Sequence, residues 1–224
     1  MLKIKVCGLK YPENIKQLFD YQPDYMGFIF YSKSPRYCPG FIGKDMMRHF
    51  PEPIQKVGVF VNENMQNILN IVSDYSLNLV QLHGNESVEL CAGFKQKGIS
   101  VIKAFQIDND FDFKIVVPYK AYCDYFLFDT KSINYGGSGI SFDWNKLKEY
   151  DNEKPFYLSG GIDINSIEEI MQLKNLNLFA LDINSKFETK PGLKDVESVA
   201  AFIQKIRKSE FETGQKQDSI RISK

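Results

Sequence analysis

Eight short apolar segments recur along the chain at nearly even spacing, and they constrain the possible folds more than any other feature. Each has the length of a strand and is continuously apolar, which is typical of parallel strands buried on both faces. Helical patterns separate them; Met65, Ile68, Leu69 and Val72, for example, have i, i+3, i+4, i+7 spacing. The strand candidates are residues 4–7, 25–30, 57–61, 77–82, 99–105, 125–128, 156–158 and 178–181.

Strands that alternate with helices predict an α/β protein, and eight such units predict a single-domain (β/α)8 TIM barrel. An open, doubly wound sheet is the alternative, disfavoured because no Gly-x-Gly-x-x-Gly motif follows the first strand. We expect the barrel to span residues 1–207, and residues 208–224 to form a polar, mobile tail. Helices with less regular patterns are expected near residues 12–20, 43–49, 110–117 and 143–149.

Charge and cysteine usage exclude several classes of protein. Lysine plus arginine and aspartate plus glutamate both number 28, so bulk charge predicts neither a nucleic-acid nor a membrane partner. No apolar run approaches the ~18 residues of a membrane span, and we see no signal peptide. The four cysteines form no CxxC pair, which argues against a zinc site or a disulfide scaffold. We therefore expect a cytoplasmic protein with reduced thiols and no metal.

Polar residues at the ends of the strand candidates are the candidate site residues, because barrel enzymes react at the carboxyl ends of their strands. Cys7 ends the first candidate, His83 the fourth and Asp129 the sixth, while Arg36 lies in the loop after the second. Cys7 is either a small packing residue or a base with a lowered pKa. Asp129 is a loop anchor or an acid, Arg36 a surface charge or a carboxylate ligand, and His83 a packing residue or a ligand contact.

The turns after the last two strand candidates suggest a phosphate site. Gly160 and Gly161 follow the seventh candidate and lead into a helical segment, so backbone N–H groups and a helix N-terminus could face an anion. A simple tight turn is the alternative. Asn184 and Ser185 follow the eighth candidate and would complete the site. The glycine-rich segment 131–139 is either a flexible connector or a lid.

These residues lie in motifs that resemble, in order over about residues 3–207, the phosphoribosylanthranilate isomerase family of tryptophan biosynthesis. The motifs are Lys5-Val6-Cys7-Gly8-Leu9, Gly27-Phe28-Ile29-Phe30, Ser34-Pro35-Arg36-Tyr37, Val57-Gly58-Val59-Phe60-Val61, Val80-Gln81-Leu82-His83-Gly84, Leu127-Phe128-Asp129-Thr130, Gly136-Gly137-Ser138-Gly139, Phe142-Asp143-Trp144, Ser159-Gly160-Gly161 and Pro191-Gly192-Leu193-Lys194-Asp195. One departure is Asn184-Ser185-Lys186, where the family often ends this turn with glycine.

The resemblance implies an Amadori rearrangement of N-(5-phosphoribosyl)anthranilate to 1-(2-carboxyphenylamino)-1-deoxyribulose 5-phosphate, without a cofactor. It implies that Cys7 is the general base, that Asp129 is the general acid, and that Arg36 holds the anthranilate carboxylate. We expect the remaining contacts to this small phosphorylated substrate from His83, Gly160, Gly161, Asn184 and Ser185. The protein is expected to be a monomer or a homodimer.

Two other functions stay open on the sequence. One is a neighbouring phosphate-binding barrel enzyme, such as an aminoaldose isomerase of histidine synthesis or an indole-forming synthase. The former is expected to have an aspartate at the position of Cys7. The other is a barrel that binds a phosphorylated ligand without turnover, whose signature would be loss of the thiol or of the carboxylate. Both Cys7 and Asp129 are present.

Overall fold

Eight parallel strands close into a barrel in the computed structural model, which describes residues 1–130, 143–173 and 175–222, with side chains up to residue 209. The barrel closes where β1 pairs with β8, with Lys5 opposite Asp182 and Val6 opposite Ile183. This confirms the predicted TIM barrel over the open sheet. The barrel strands are β1 (Lys3–Val6), β2 (Tyr25–Ile29), β3 (Gln55–Phe60), β4 (Leu79–Leu82), β5 (Ser100–Ile107), β6 (Tyr125–Thr130), β7 (Phe156–Ser159) and β8 (Leu178–Ile183).

Six α-helices surround the barrel in the described part of the chain. They are α1 (Pro12–Phe19), α2 (Lys44–Arg48), α3 (Met65–Asp74), α4 (Val88–Gln96), α5 (Ile167–Gln172) and α6 (Val196–Ile222). The helices expected after β5 and β6 are instead 3-10 helices, Phe113–Tyr119 and Trp144–Glu149. Pro118 lies inside the first of these and lacks the N–H group that an α-helix interior needs.

Apolar side chains fill two regions on opposite sides of the barrel wall. The inner region is small and includes Val57, Leu127 and Tyr157, while the outer one packs the helices on the strands. Side chains alternate along a strand, so residues two positions apart face the same side. Asp129 follows Leu127 of β6 by two positions, and Asp182 follows Ala180 of β8 in the same way. Both aspartates therefore face the interior, nearer the carboxyl ends of the strands. The barrel interior is therefore apolar at one level and charged towards its mouth.

A short antiparallel hairpin follows β8 and was not expected from the sequence. It consists of β9 (Glu188–Lys190) and β10 (Leu193–Lys194), joined through Gly192, whose φ is +85°. The preceding residues Ser185–Phe187 form one turn of 3-10 helix. This hairpin brings Glu188 and Lys194 to the mouth of the barrel.

The last helix, α6, continues from Val196 to Ile222. Its first turns pack on the barrel through Val199, Phe202 and Ile206, which are buried. The domain boundary at residue 207 and the mobility of residues 208–224 stay predictions. Within the described residues, no helix is both long enough and apolar enough to span a membrane.

Candidate active site

The side chains predicted from strand ends all lie at one end of the barrel. Cys7 directly follows β1 and extends its ladder, since its N–H donates to the Ile183 carbonyl at 2.9 Å. His83 follows β4 and Asp129 lies in β6. Arg36 lies between β2 and α2, in a segment that bridges back to Ile29 through Tyr37. The barrel thus places these side chains at the common mouth, although they are far apart in sequence.

Cys7 is buried, with 4% of its surface exposed, and it lies against a glycine of the neighbouring strand. A Cβ at Gly27 would lie 2.7 Å from the Cys7 sulfur, so only glycine leaves space for the thiol there. Burial raises the pKa of the Cys7 thiol and the Asp182 carboxylate adds to this, while Lys5 and Lys194 oppose it. A lowered pKa, the alternative in which the sequence makes Cys7 a base, is therefore not what the structure gives, because desolvation outweighs the nearby cations.

Lys5 and Asp182 form a buried ion pair on the strands that flank the thiol. The Lys5 ammonium donates to both Asp182 oxygens, at 3.0 and 2.9 Å, and the two side chains are 0% and 5% exposed. Burial acts to lower the pKa of Lys5, but Asp182 and Cys7 outweigh it, so that pKa is raised. A charged lysine is thus retained inside the barrel, two residues before Cys7 on the same strand.

His83 lies between Gln81 and the carboxylate of Asp129. Its Nε2 is 3.4 Å from Asp129 Oδ2, and its Nδ1 is 2.8 Å from Gln81 Nε2. The two ring nitrogens of His83 therefore contact an amide on one side and the Asp129 carboxylate on the other. Asp129 and His83 are 24% and 20% exposed, so both remain accessible from the mouth.

The Arg36 guanidinium is held by a carboxylate from the hairpin. Glu188 Oε2 accepts from Nη2 at 2.6 Å, and both Glu188 oxygens accept from Nε at 3.0 Å. The side chains of Arg36 and Glu188 are 11% and 4% exposed, so this is a buried ion pair. A ligand carboxylate would therefore meet the opposite edge of the fork, formed by Nη1 and the second Nη2 hydrogen.

Two consecutive glycines form the turn after β7. Gly160 and Gly161 have φ values of +84° and +75°, which favour glycine. A Cβ at Gly160 would lie 2.6 Å from the Thr130 backbone nitrogen and would also contact Thr130 Oγ1. The turn does not lead directly into a helix, because Asp163 and Ser166 first form a hydrogen-bonded turn and α5 begins only at Ile167.

Asn184 and Ser185 lie beside this turn, since β7 and β8 are neighbours and Ser159 pairs with Asp182. The Asn184 side-chain oxygen accepts from Lys194 Nζ at 2.8 Å, and its carbonyl accepts from the same ammonium at 3.2 Å. Ser185 begins the 3-10 turn. Burial lowers the pKa of Lys194 to about 8, against the opposing effect of Glu188.

Four charged residues of this mouth were not assigned a role from the sequence: Lys5, Asp182, Glu188 and Lys194. Two of them carried a signal. Lysine inside the apolar segment 4–7 and aspartate directly after 178–181 are both unusual for buried strands. Glu188 and Lys194 carried none, because their placement depends on the hairpin. The glycine-rich segment 131–139, interpreted as a connector or a lid, lies outside the described residues.

The chain was compared with known proteins by sequence and by structure. The sequence model of the N-(5'phosphoribosyl)anthranilate (PRA) isomerase family matches residues 4–205. A relative from Phocaeicola vulgatus, N-(5'-phosphoribosyl)anthranilate isomerase, is 42% identical over 204 residues, covering 91% of this chain and 97% of the relative.

Two solved structures are also similar. One is phosphoribosyl anthranilate isomerase in complex with reduced 1-(o-carboxyphenylamino)-1-deoxyribulose 5-phosphate, with a TM-score of 0.80 and 32% identity over 92% of this chain and 99% of that one. The other shows monomers of the dimeric enzyme from Thermotoga maritima, with a TM-score of 0.79 and 33% identity over 92% and 99% of the two chains. This chain therefore belongs to the N-(5'-phosphoribosyl)anthranilate isomerase family.

Proposed function

We propose that this protein isomerises N-(5-phosphoribosyl)anthranilate to 1-(2-carboxyphenylamino)-1-deoxyribulose 5-phosphate in tryptophan biosynthesis. The observation that carries the proposal is that a buried thiol, Cys7, and a carboxyl group, Asp129, lie at the same end of the barrel in a chain whose family match spans residues 4–205. An acid and a base on separate strands are what this rearrangement requires.

The two anionic ends of the substrate are assigned to two different groups of residues at the mouth. The phosphate is assigned to the adjoining turns after β7 and β8, at Gly160, Gly161, Asn184 and Ser185. Positive φ at both glycines supports this, because such a turn allows backbone N–H groups to approach an anion closely. The anthranilate carboxylate is assigned to the edge of Arg36 that faces away from Glu188.

Asp129 is assigned as the acid that opens the sugar ring. In its protonated form it would donate to the ring oxygen as the bond from that oxygen to C1 breaks, leaving a C1=N Schiff base with the anthranilate nitrogen. His83 is assigned to substrate binding next to this carboxyl group. Its Nε2 lies 3.4 Å from Asp129 Oδ2, and a proton on this nitrogen would stabilise the carboxylate that forms after the transfer.

Cys7 is assigned as the base that removes the proton from C2 of the Schiff base. Its raised pKa means that Cys7 is mainly a neutral thiol at neutral pH. The thiolate, once formed, is the stronger base for that reason, and Lys5 and Lys194 stabilise it. The resulting enolamine takes a proton at C1 and loses one from the C2 hydroxyl to give the ketose.

The reaction as written moves hydrogen within one substrate, so it requires no oxidant, metal or cofactor. A histidine-pathway aminoaldose isomerase is a weaker candidate, because Cys7 stands where that enzyme is expected to have an aspartate. A barrel that only binds a phosphorylated ligand is disfavoured by the presence of both catalytic groups. An indole-forming synthase finds no support in the family match.

The decisive experiment is an assay on freshly generated phosphoribosylanthranilate with the Cys7→Ala and Asp129→Asn variants. We expect kcat to fall about 10³-fold in each, as for the loss of a general acid or base. Cys123→Ala and Asp151→Asn are matched controls, a buried thiol and a surface carboxylate that precede strands β6 and β7. Wild-type inactivity would overturn the function, and full activity of either site variant would overturn its assigned role.

We also propose a cytoplasmic location, which the four free cysteines of the described structure support. The dimeric description of the Thermotoga maritima relative supports a homodimer over a monomer. Light scattering of the purified chain decides between these states.

A further inference from the structure

A connected set of polar groups links the two anion sites assigned above, and its centre is the hairpin β9–β10. Glu188 begins this hairpin and Lys194 ends it. Their side chains are 4% and 0% exposed and form an ion pair with an N–O distance of 2.8 Å. Burying two charges is costly, and well-packed apolar residues often replace such a pair without loss of stability. Barrel stability alone therefore does not account for the pair.

Glu188 uses its carboxylate on three sides. One side holds the Nε–Nη2 edge of Arg36. On the second, Oε1 accepts from Lys194 Nζ at 2.8 Å, and on the third it accepts from the Gly192 backbone at 3.0 Å. The carboxylate is thus hydrogen-bonded to its own hairpin while it also binds the Arg36 guanidinium. Consequently the free edge of Arg36 has one direction in which to meet a ligand.

Lys194 connects the same carboxylate to the end of β8. Its ammonium donates to the backbone carbonyl and to the side-chain oxygen of Asn184. Asn184 directly precedes Ser185, and both belong to the turn after β8 that is assigned to the phosphate, here called the phosphate turn. The backbone of Lys194 is itself fixed by the buried Asn14 of α1, through bonds of 2.7 and 2.9 Å. The Lys194 backbone is therefore held by Asn14, while its ammonium contacts Asn184 and Glu188.

These groups close around the residue that follows Cys7. A Cβ at Gly8 would lie 2.6 Å from Asn184 Oδ1 and 2.7 Å from Arg36 Cδ. The φ of Gly8 is +76°, so both its conformation and its surroundings require glycine. The carboxylate anchor, the phosphate turn and the strand end that carries the thiol therefore touch one another at this point.

We propose that Glu188 and Lys194 are positioning residues for the isomerase reaction. Glu188 orients Arg36 towards the anthranilate carboxylate, and Lys194 couples that orientation to Asn184 beside the phosphate turn. The two anchors are thereby held at the separation that one substrate spans. This inference rests on the proposed function, and it adds two residues that act through others rather than on the reacting atoms.

A double-mutant cycle between Glu188→Gln and Arg36→Ala tests whether Glu188 orients Arg36. Glu188→Gln is nearly isosteric, and we expect it to raise KM about 10-fold with kcat changed less than about 3-fold. Because Glu188 acts through Arg36, the double variant should be no worse than Arg36→Ala alone. The proposal would be overturned if the effects of the two single variants multiplied in the double variant, or if Glu188→Gln left KM unchanged. If Glu188→Gln does not fold, Glu188→Asp takes its place in the same cycle.

Lys194→Met tests the coupling of Lys194 to the phosphate turn, with inorganic phosphate as the ligand. We expect it to weaken competitive inhibition by inorganic phosphate at least about 5-fold, whereas Glu188→Gln changes this inhibition less than about 2-fold. Equal inhibition of wild type and Lys194→Met would overturn the coupling to the phosphate turn. Asp24→Asn is the control for lost stability, since the Lys3–Asp24 pair lies at the start of β1, and its KM should be that of wild type.

Calorimetric titration with anthranilate separates this inference from the proposed function. If wild type binds anthranilate, and Arg36→Ala and Glu188→Gln both weaken it, the orientation of Arg36 stands even where turnover is absent. If wild type turns over its substrate and Glu188→Gln has unchanged KM, the inference fails and the function stands. Absence of both binding and turnover in wild type overturns both.

Discussion

The ammonium nitrogen of Lys5 lies 2.9 and 3.0 Å from the two carboxylate oxygens of Asp182, inside the barrel and shielded from solvent. This pair sets the electrostatic environment of Cys7, because Asp182 acts to raise the pKa of the thiol and Lys5 acts to lower it. The availability of Cys7 as the proposed base therefore depends first on its desolvation, and then on the balance between these two buried charges.

Replacement of Lys5 tests this balance. Lys5→Gln removes a cation and leaves Asp182 without its ionic partner, so the pKa of Cys7 should rise further. The ultraviolet absorbance of the thiolate, taken as the difference from Cys7→Ala in the same background, should appear at higher pH than in the unmodified chain. Since less thiolate is then present at neutral pH, we expect kcat/KM to fall about 10-fold.

Lys3→Gln is the control for this experiment. Lys3 lies on the same strand, is 41% exposed and pairs with Asp24 at the start of β1. Its removal should leave the pH at which thiolate appears unchanged. An equal displacement of the titration in both variants would contradict a specific effect of Lys5.

Gly160→Ala should weaken phosphate binding and stability together. The backbone at this position has a positive φ, which alanine disfavours, and the new Cβ would contact Thr130, so we expect a loss of about 2–3 kcal/mol in the free energy of unfolding. Gly98→Ala is the matched control, because Gly98 has φ +70° with no atom within 4 Å of an added Cβ. It should cost about 1 kcal/mol and leave inhibition by inorganic phosphate unchanged. Identical phosphate inhibition of Gly160→Ala and wild type would remove that turn from the site.

Glu188 should contribute stability that depends on pH. Burial opposes its ionisation, but Arg36 and Lys194 outweigh this and lower the pKa of Glu188 below 4.5. The unfolded chain therefore takes up the proton at higher pH than the folded chain does, and the contribution is complete above about pH 4.5. It is lost as the pH falls through the lower, folded-state pKa.

Urea unfolding of wild type and Glu188→Gln measures this contribution. We expect wild type to be more stable by about 3 kcal/mol near neutral pH, and the difference to shrink in acid. A difference that stays constant from neutral pH to about pH 3 would show that the charge of Glu188 contributes nothing.

His83→Gln should lower kcat by about 10-fold, less than Asp129→Asn does. The reason is that His83 lies 3.4 Å from Asp129, the proposed acid, and is not itself assigned a proton transfer. In the background of Asp129→Asn, His83→Gln should lower kcat little further, because the carboxylate that His83 contacts is already absent. Steady-state kinetics of the two single variants and the double variant decide this, and a full multiplication of the two losses would show that His83 acts elsewhere.

Local patterns were sufficient to predict the barrel and most of its mouth. Each β-strand is a short apolar run, and in parallel β-strands the carboxyl ends share one edge, so Cys7, His83 and Asp129 could be placed together from sequence alone. The 3-10 helices after β5 and β6 could not be distinguished from α-helices, because both are short polar-apolar segments and only packing decides between the two hydrogen-bond patterns.

Residue types and spacing in the sequence by themselves determined the (β/α)8 architecture and which thiol, carboxyl and glycine turns face its mouth. Only the tertiary structure decided the ion-pair partners and the pKa shifts of the groups at the mouth. Lys5 meets Asp182 across 177 residues, and Arg36 meets Glu188 across 152, so no local pattern reports either pair. Burial raises the pKa of Cys7 and the hairpin occupies one edge of Arg36, because desolvation and ion pairing depend on the whole fold surrounding a side chain.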